Sequence, residues 1–180
     1  MTAVALLLGL LIDHFIGEAK RWHPLVGFGN AAATLEKAAN PSSDNHGKLR
    51  GLVCWALMVL TPVVAMTLAV SQLSGLALLV FNALVVYFVV GLKSLVEHGR
   101  NVAVPLLDGD LPAARQQIAM MVSRDTANLN EQQVACATCE SVLENGSDAI
   151  FAALFWFCLL GAPGAILYRG ANTLDAMWGY

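Results

Sequence analysis

The chain has 180 residues, 57% hydrophobic and 13% charged, with a net charge of −3, whereas soluble domains carry about 25% charged residues. This deficit, together with a mean hydropathy of +0.63, excludes an ordinary water-soluble domain. The acidic balance and the lack of a basic stripe argue against a nucleic-acid partner, and four scattered cysteines make no disulfide framework.

Residues 3–12 are apolar, lack a basic leader and precede no small-residue cleavage site. They predict a first membrane helix over about 2–17, with Asp13 and His14 near its end. Ionisable groups at membrane depth are costly and tend to mark sites. Residues 18–50 read as a polar loop with a short helix at 31–39. Trp22-His23-Pro24 stops any helix entering that loop, and 40–44 is a loop tip. Gly27-Phe28-Gly29 has no strand before it and no third glycine, so it makes no dinucleotide fingerprint.

Residues 51–92 hold no charged side chain. A helix crosses the hydrocarbon core in about 20 residues. This 42-residue run therefore predicts two spans, 51–70 and 75–95, with Ser71, Gln72, Ser74 and Gly75 at the turn. Pro62 is expected to kink the first.

Residues 108–148 predict helices joined by short turns. Asp110 caps one that has Pro112 in its first turn and runs to about residue 122. Ser123-Arg124-Asp125-Thr126 interrupts it. Asn130 caps the next, with Gln133 completing a capping box, and Asn145-Gly146 ends it. Ser147 then caps the apolar helix that follows. Glu140 and Glu144 share a face with Ala137, whereas Val134, Thr138 and Val142 lie mostly on the other side. Asp148 adds a third carboxylate at a step of four. Like charges at that spacing repel, and either water or a divalent cation relieves them. Spacing alone leaves both readings open, with a solvated face the commoner. The Cys136–Cys139 pair sits mid-helix with no second pair or nearby histidine, which favours small-residue packing over zinc. His14, His23 and His98 lie singly near predicted membrane edges, where hydrogen bonding at the interface is the commoner role.

Residues 149–168 are again charge-free and one span long. Gly161-Ala162-Pro163-Gly164 is a poor sequence for an unbroken helix. The stretch is either a span, the reading adopted, or two half-helices meeting at a re-entrant break. Lys20, Arg21, Lys37, Lys48 and Arg50 lie in the first polar segment and Lys93, Arg100, Arg115 and Arg124 in the second, with none in the hairpin turn. The positive-inside rule then puts both segments in the cytoplasm, for a bacterial inner membrane. The expected fold is all-α, a polytopic membrane helical bundle forming one domain over 1–180, with cytoplasmic helical segments at 18–50 and 96–148.

Several motifs stand in a specific order. They are Val122-Ser123-Arg124-Asp125-Thr126, Glu140-Ser141-Val142-Leu143-Glu144-Asn145, Leu154-Phe155-Trp156 and Asn172-Thr173-Leu174-Asp175-Ala176-Met177. Asp13, Trp22-His23-Pro24, Ser94-Leu95 with His98, and Gly109-Asp110-Leu111 with Ala114-Arg115 precede or accompany them. Together they resemble the CobD/CbiB family, adenosylcobinamide-phosphate synthases of cobalamin biosynthesis, over nearly the whole chain. Ala149 and Ala153 depart from the usual family pattern there, a small residue and a proline. Family members continue past the last motif, so the chain is expected to be an N-terminal fragment.

The resemblance implies an ATP- and Mg²⁺-dependent amide ligation, in which a corrinoid carboxylate of adenosylcobyric acid is joined to the amine of aminopropanol phosphate. No Walker A or kinase-type glycine loop is present, so the nucleotide site is of another kind. On this resemblance Asp125, Glu140, Glu144, Asp148 and Asp175 supply catalytic groups, and Glu140 and Glu144 hold Mg²⁺. Arg124, Arg169, Asn172 and His23 bind substrate or phosphate, a guanidinium matching phosphate geometry. The plainer alternatives are helix capping for Asp125 and Asp175 and a membrane-edge anchor for Arg169. The implied partners are the corrinoid, aminopropanol phosphate and the bilayer, and a homo-oligomer is compatible with the sequence. A straight span at 149–168 would put Asn172 and Asp175 across the membrane from Glu140 and Glu144, so a shared site needs that stretch re-entrant or folded back. Two other functions stay open: an AmpE-like non-enzymatic sensor, and a transporter, which a buried Asp13 suits but the lack of an internal repeat weakens.

Overall fold

A computed structural model describes residues 1–19, 23–39 and 47–179. The chain runs as α1 (Thr2–Ile16), α2 (Pro24–Ala39), α3 (Gly47–Ser71), α4 (Gly75–Val89), α5 (Leu92–Leu107), α6 (Leu111–Ile118), α7 (Glu131–Gly146), a π-helical turn (Ser147–Phe151) and α8 (Ala152–Trp178). No strand occurs among the described residues, and the all-α expectation holds. The loop tip at 40–44 lies outside the described residues, as do Lys20, Arg21 and Trp22. Helix α2 is longer than the expected 31–39 because Pro24 opens it, where a fixed φ and a missing N–H suit the first turn.

Among the described residues three helical runs, Gly47–Ser71, Gly75–Leu107 and Glu131–Trp178, are by length and composition sufficient to cross a membrane. Their surfaces are inverted relative to a soluble protein. Leu52, Leu57, Leu60 and Leu68 of α3 point outward, while Cys54 and Val59 are its buried residues. In water such a face would associate or aggregate, whereas in lipid the tails match it. The chain is a helical membrane protein.

Small residues set the packing of α1 on α4. Ala5 and Gly9, one turn apart, are buried there. A Cβ at Gly9 would lie 2.6 Å from Val86 Cβ and 2.8 Å from the Ala83 carbonyl oxygen. Three clusters form the interior. One joins Ala5 and Val86 to Ile150, Phe157, Ala162 and Ala165. Another joins Ala32 of α2, Val59 of α3 and Leu174 of α8. The last lies under the polar helices and joins Val102, Ala114, Ile118, Val134 and Ala137. Val134 and Ala137 therefore share the buried face, not opposite sides as expected, because residues three apart are helix neighbours.

Elsewhere the backbone departs from the expected elements. The stretch 75–95 is not one helix, because Val90 is extended (φ −102°, ψ 133°) and α5 starts afresh at Leu92. The buried Asp13 carboxylate accepts the Lys93 N–H at 2.9 Å, which gives the new helix start a partner. Asn145-Gly146 does not end α7. Gly146 is helical (φ −62°, ψ −45°), and the chain winds through the π turn into α8. The buried positions pass from Ser141 to Ile150, nine residues or about 2.5 turns later, on the opposite side of a straight α-helix. The wider π turn takes up part of that offset as the chain leaves the α5–α6 packing for α1 and α4.

The largest correction concerns 149–168, which is not one straight helix. Gly161 adopts φ 68°, ψ −154° inside α8, a conformation open essentially to glycine alone. Pro163 follows and supplies no N–H to the ladder. A Cβ at Gly164 would collide with the Trp156 carbonyl oxygen, eight residues back, which a straight helix would hold about 12 Å away. Helix α8 is thus a hairpin of two arms, 152–160 and 162–178.

Candidate active site

The hairpin decides where the polar residues meet. Residues 149 and 169 would stand about 30 Å apart on a straight helix, yet Ala149 and Arg169 line the same cavity. It measures about 650 Å³. Arg124 from the α6–α7 loop, Glu140 and Glu144 from α7 and Asp148 from the π turn form one side. Arg169, Asn172 and Asp175 from the second arm of α8 form the other.

The loop carrying Arg124 is held by its own side chains. Thr126 Oγ1 donates to the Arg115 carbonyl at 3.1 Å, and Arg115 Nε donates to the Leu129 carbonyl at 2.7 Å. Asn130 and Gln133 close the capping box that starts α7, as expected. Arg124 Nη2 donates to Glu140 Oε2 at 2.9 Å, with side chains 53% and 68% exposed. Such a surface pair contributes about 0–1 kcal/mol, so a ligand phosphate can displace the carboxylate at little cost.

Asp125 and His23 do not join this cavity. Asp125 accepts the Ala127 N–H at 2.9 Å, which closes a local turn in the α6–α7 loop and caps no helix. His23 is buried, its Nδ1 accepts the Leu25 N–H at 3.2 Å, and its ring packs edge-on against Phe88. Burial holds its pKa below the ordinary histidine range, Glu18 works against that shift and Arg169 adds to it. His23 lines an adjoining groove with Glu18, Lys93, Ser94, Glu97 and His98.

Arg169 is half-buried, and its Nε is enclosed without a hydrogen-bond partner. No carboxylate forms an ion pair with it among the described residues. A cation so placed is costly until an anion arrives, and a phosphate or carboxylate matches its fork. The same side chain lines a second cavity of about 270 Å³ with Glu18, Ser94, His98 and Asn145. Sequence reasoning did not place Glu18 or Asn145 at a site. Asn145, whose Nδ2 donates to the Ser141 carbonyl at 2.8 Å, sits beside a glycine and reads locally as a helix stop. Glu18 has no periodic partner to signal it.

Among the described residues no group of three or more His, Cys, Asp or Glu side chains is arranged to hold a metal ion. Glu140 and Glu144, exposed and one turn apart on the cavity wall, fit Mg²⁺ in its usual manner, with one or two carboxylates while phosphates and waters complete the shell. Cys136 and Cys139 are free and exposed.

A family model described as CobD/Cbib protein matches residues 6–180. The chain belongs to the CobD/CbiB family. A cobalamin biosynthesis protein CobD of Chromobacterium violaceum is 50% identical over 184 residues, which cover 99% of this chain and 58% of that protein. One of Stutzerimonas stutzeri is 50% identical over 171 residues (95% and 56%), and one of Clostridium perfringens is 32% identical over 182 (98% and 58%). The chain spans less than three-fifths of the length of each of these relatives. No solved structure matches it. Every wall of the larger cavity falls inside the CobD/CbiB match.

Proposed function

We propose that the larger cavity is the ligation site of a CobD/CbiB enzyme that joins aminopropanol phosphate to adenosylcobyric acid with ATP, giving adenosylcobinamide phosphate. The reversal of α8 supports this most, because it sets the acids of α7 and the π turn opposite Arg169, Asn172 and Asp175. A carboxylate is a poor acyl donor, and bound ATP with Mg²⁺ would supply the phosphoryl group that activates it, the bond between its β and γ phosphates breaking and ADP leaving.

The chain's own side chains position and neutralise. Arg124 and Arg169 hold phosphates through paired N–H groups. Glu140 and Glu144 would hold Mg²⁺ beside those phosphates. Asp148 faces the incoming ammonium and accepts a proton from it. Asn172 and Asp175 orient the carboxyl arm from the opposite wall. In net terms a C–N bond forms at the propionate carbon and the C–O bond breaks, so that oxygen leaves on phosphate. Of the two protons lost by the ammonium, one goes to the released phosphate and one to a cavity carboxylate. We further propose that the polar helices lie on the cytoplasmic side of a bacterial inner membrane, where ATP is available; the lysine and arginine distribution supports that orientation.

The test is Glu144→Ala and Asp175→Ala in a version spanning the relatives' full length, scored by growth of a cobinamide-requiring auxotroph. Both are expected to abolish growth. Full growth of both would remove this cavity from the reaction. An AmpE-like regulator would show no corrinoid-dependent turnover, and a transporter would move substrate into proteoliposomes without turnover.

A further inference from the structure

Asn145 stands inside a continuous helical run, where α7 passes into the π turn, and caps neither end of it. Asparagine is a poor helix former because its side chain competes for the backbone. Residues that break a local rule without a structural return are expected at functional sites. Asn145 lies on the partition between the two cavities, with Met121, Ala149 and Arg169. Its Nδ2 donates to the Ser141 carbonyl at 2.8 Å and to Ser141 Oγ at 3.3 Å. A carbonyl oxygen only accepts, so the amide nitrogen must face it and Oδ1 is turned away. Among the described residues Oδ1 has no hydrogen-bond partner. Resting on the ligation reading, we propose that Asn145 Oδ1 is the acceptor that aims the attacking amine at the activated carboxyl carbon.

Asn145 and Asp148 are three residues apart, which makes them neighbours along the helical run, and both line the larger cavity. Asp148 takes a proton from the ammonium, which leaves two N–H groups on the nitrogen. Oδ1 accepts a hydrogen bond from one of them, and no proton passes to it. With one N–H held by Oδ1 and the nitrogen still beside Asp148, its lone pair has a set direction, and orientation of this kind lowers the barrier to attack. The same acceptor selects the nucleophile. An alcohol that gives its single proton to Asp148 has none left for Oδ1, whereas an amine does. Phosphate and carboxylate oxygens, themselves acceptors, gain nothing there. A purely structural role is served by other groups. The bond from Asn145 returns to its own helix, four residues back, and joins no two elements. The tie between α7 and the start of the loop carrying Arg124 comes from Ser141, which is buried and whose Oγ donates to the Met121 carbonyl at 3.2 Å.

Steady-state kinetics of a version spanning the relatives' full length test this, with Asn145→Ala and Asn145→Leu as the variants. Both remove the acceptor, and both replace asparagine by a better helix former, so neither should melt below the wild type. In each, kcat/KM for the amine should fall about tenfold, the loss of one orienting hydrogen bond. KM for ATP and for the corrinoid acid should stay at the wild-type values. Unchanged kcat/KM for the amine in both variants overturns the role of Asn145 and leaves the ligation reading standing, because the wild type still forms the amide. Equal losses for all three substrates would make Asn145 a structural residue and overturn it too. So would a raised Mg²⁺ requirement with normal kinetics for the amine, which would assign Oδ1 to the metal. A wild type that forms no amide takes down the ligation reading, and the role of Asn145 with it.

Discussion

His23 carries a pH signature that belongs to one side chain. Its folded pKa lies below the unfolded value of about 6.5 because the ring is buried. Above that value both states are neutral and stability is at its full level. As pH falls, the unfolded chain binds a proton that the folded ring refuses, so stability drops through the window between the two pKa values. Thermal unfolding between about pH 8 and about pH 5.5 should therefore show a steeper loss for the wild type than for His23→Gln. Equal slopes would exonerate His23. Asp13 makes a second residue-scale case. Its Oδ2 accepts the Lys93 N–H while its Oδ1 is enclosed without a partner. Asp13→Ala should cost about 1 kcal/mol of stability, the usual loss for a removed helix cap, and Asp13→Asn, which keeps an acceptor, should recover most of it. An unchanged melting temperature in Asp13→Ala would show that α5 needs no such cap.

Two helices depend on single glycines for different reasons. Gly9 is a matter of space, since Val86 and Ala83 fill the place of any side chain. Gly9→Leu is expected to destabilise α1 against α4 by about 1–3 kcal/mol or more, the range for overpacked interiors, read as a lower melting temperature in detergent. Gly161 is a matter of backbone: at φ 68° and ψ −154° a Cβ is strained even though only Pro163 Cδ, at 3.9 Å, stands near it. Gly161→Ala should cost about 1–3 kcal/mol and, by opposing the reversal, separate the second arm of α8 from α7. Lost activity with retained helical content is the expected pattern. The turn of this hairpin was legible in the residues, as the Gly-Ala-Pro-Gly interruption shows. Its direction was not, because a break tells where a helix stops and not where the chain then goes. The joining of α7 to α8 shows the converse. Asn145-Gly146 is a sound local stop signal, overridden where burying Ile150, Ala153 and Phe157 is worth more than the propensity lost at one glycine.

For the molecule as a whole, the hairpin makes a prediction about sidedness. With Cys136, Cys139 and Cys158 replaced, because all three are exposed, cysteines introduced as Leu143→Cys and Thr173→Cys should react with an impermeant maleimide from the same side of the membrane. Labelling from opposite sides would restore the straight crossing and dismantle the shared cavity.

By itself the sequence determined that this chain lives in lipid, that it is helical, which family it resembles, and which acids and arginines were worth watching. Those properties follow from lengths and spacings along the chain, since a charge-free run of 42 residues has few places to go but a membrane. Only the tertiary structure decided that Arg169, Asn172 and Asp175 stand across a cavity from Glu140, Glu144 and Asp148, and that Asp125 and His23 stand outside it. That outcome rests on contacts between distant segments, such as Phe157 and Ala162 packing with Val86 in one cluster, which no pattern confined to neighbouring residues can report.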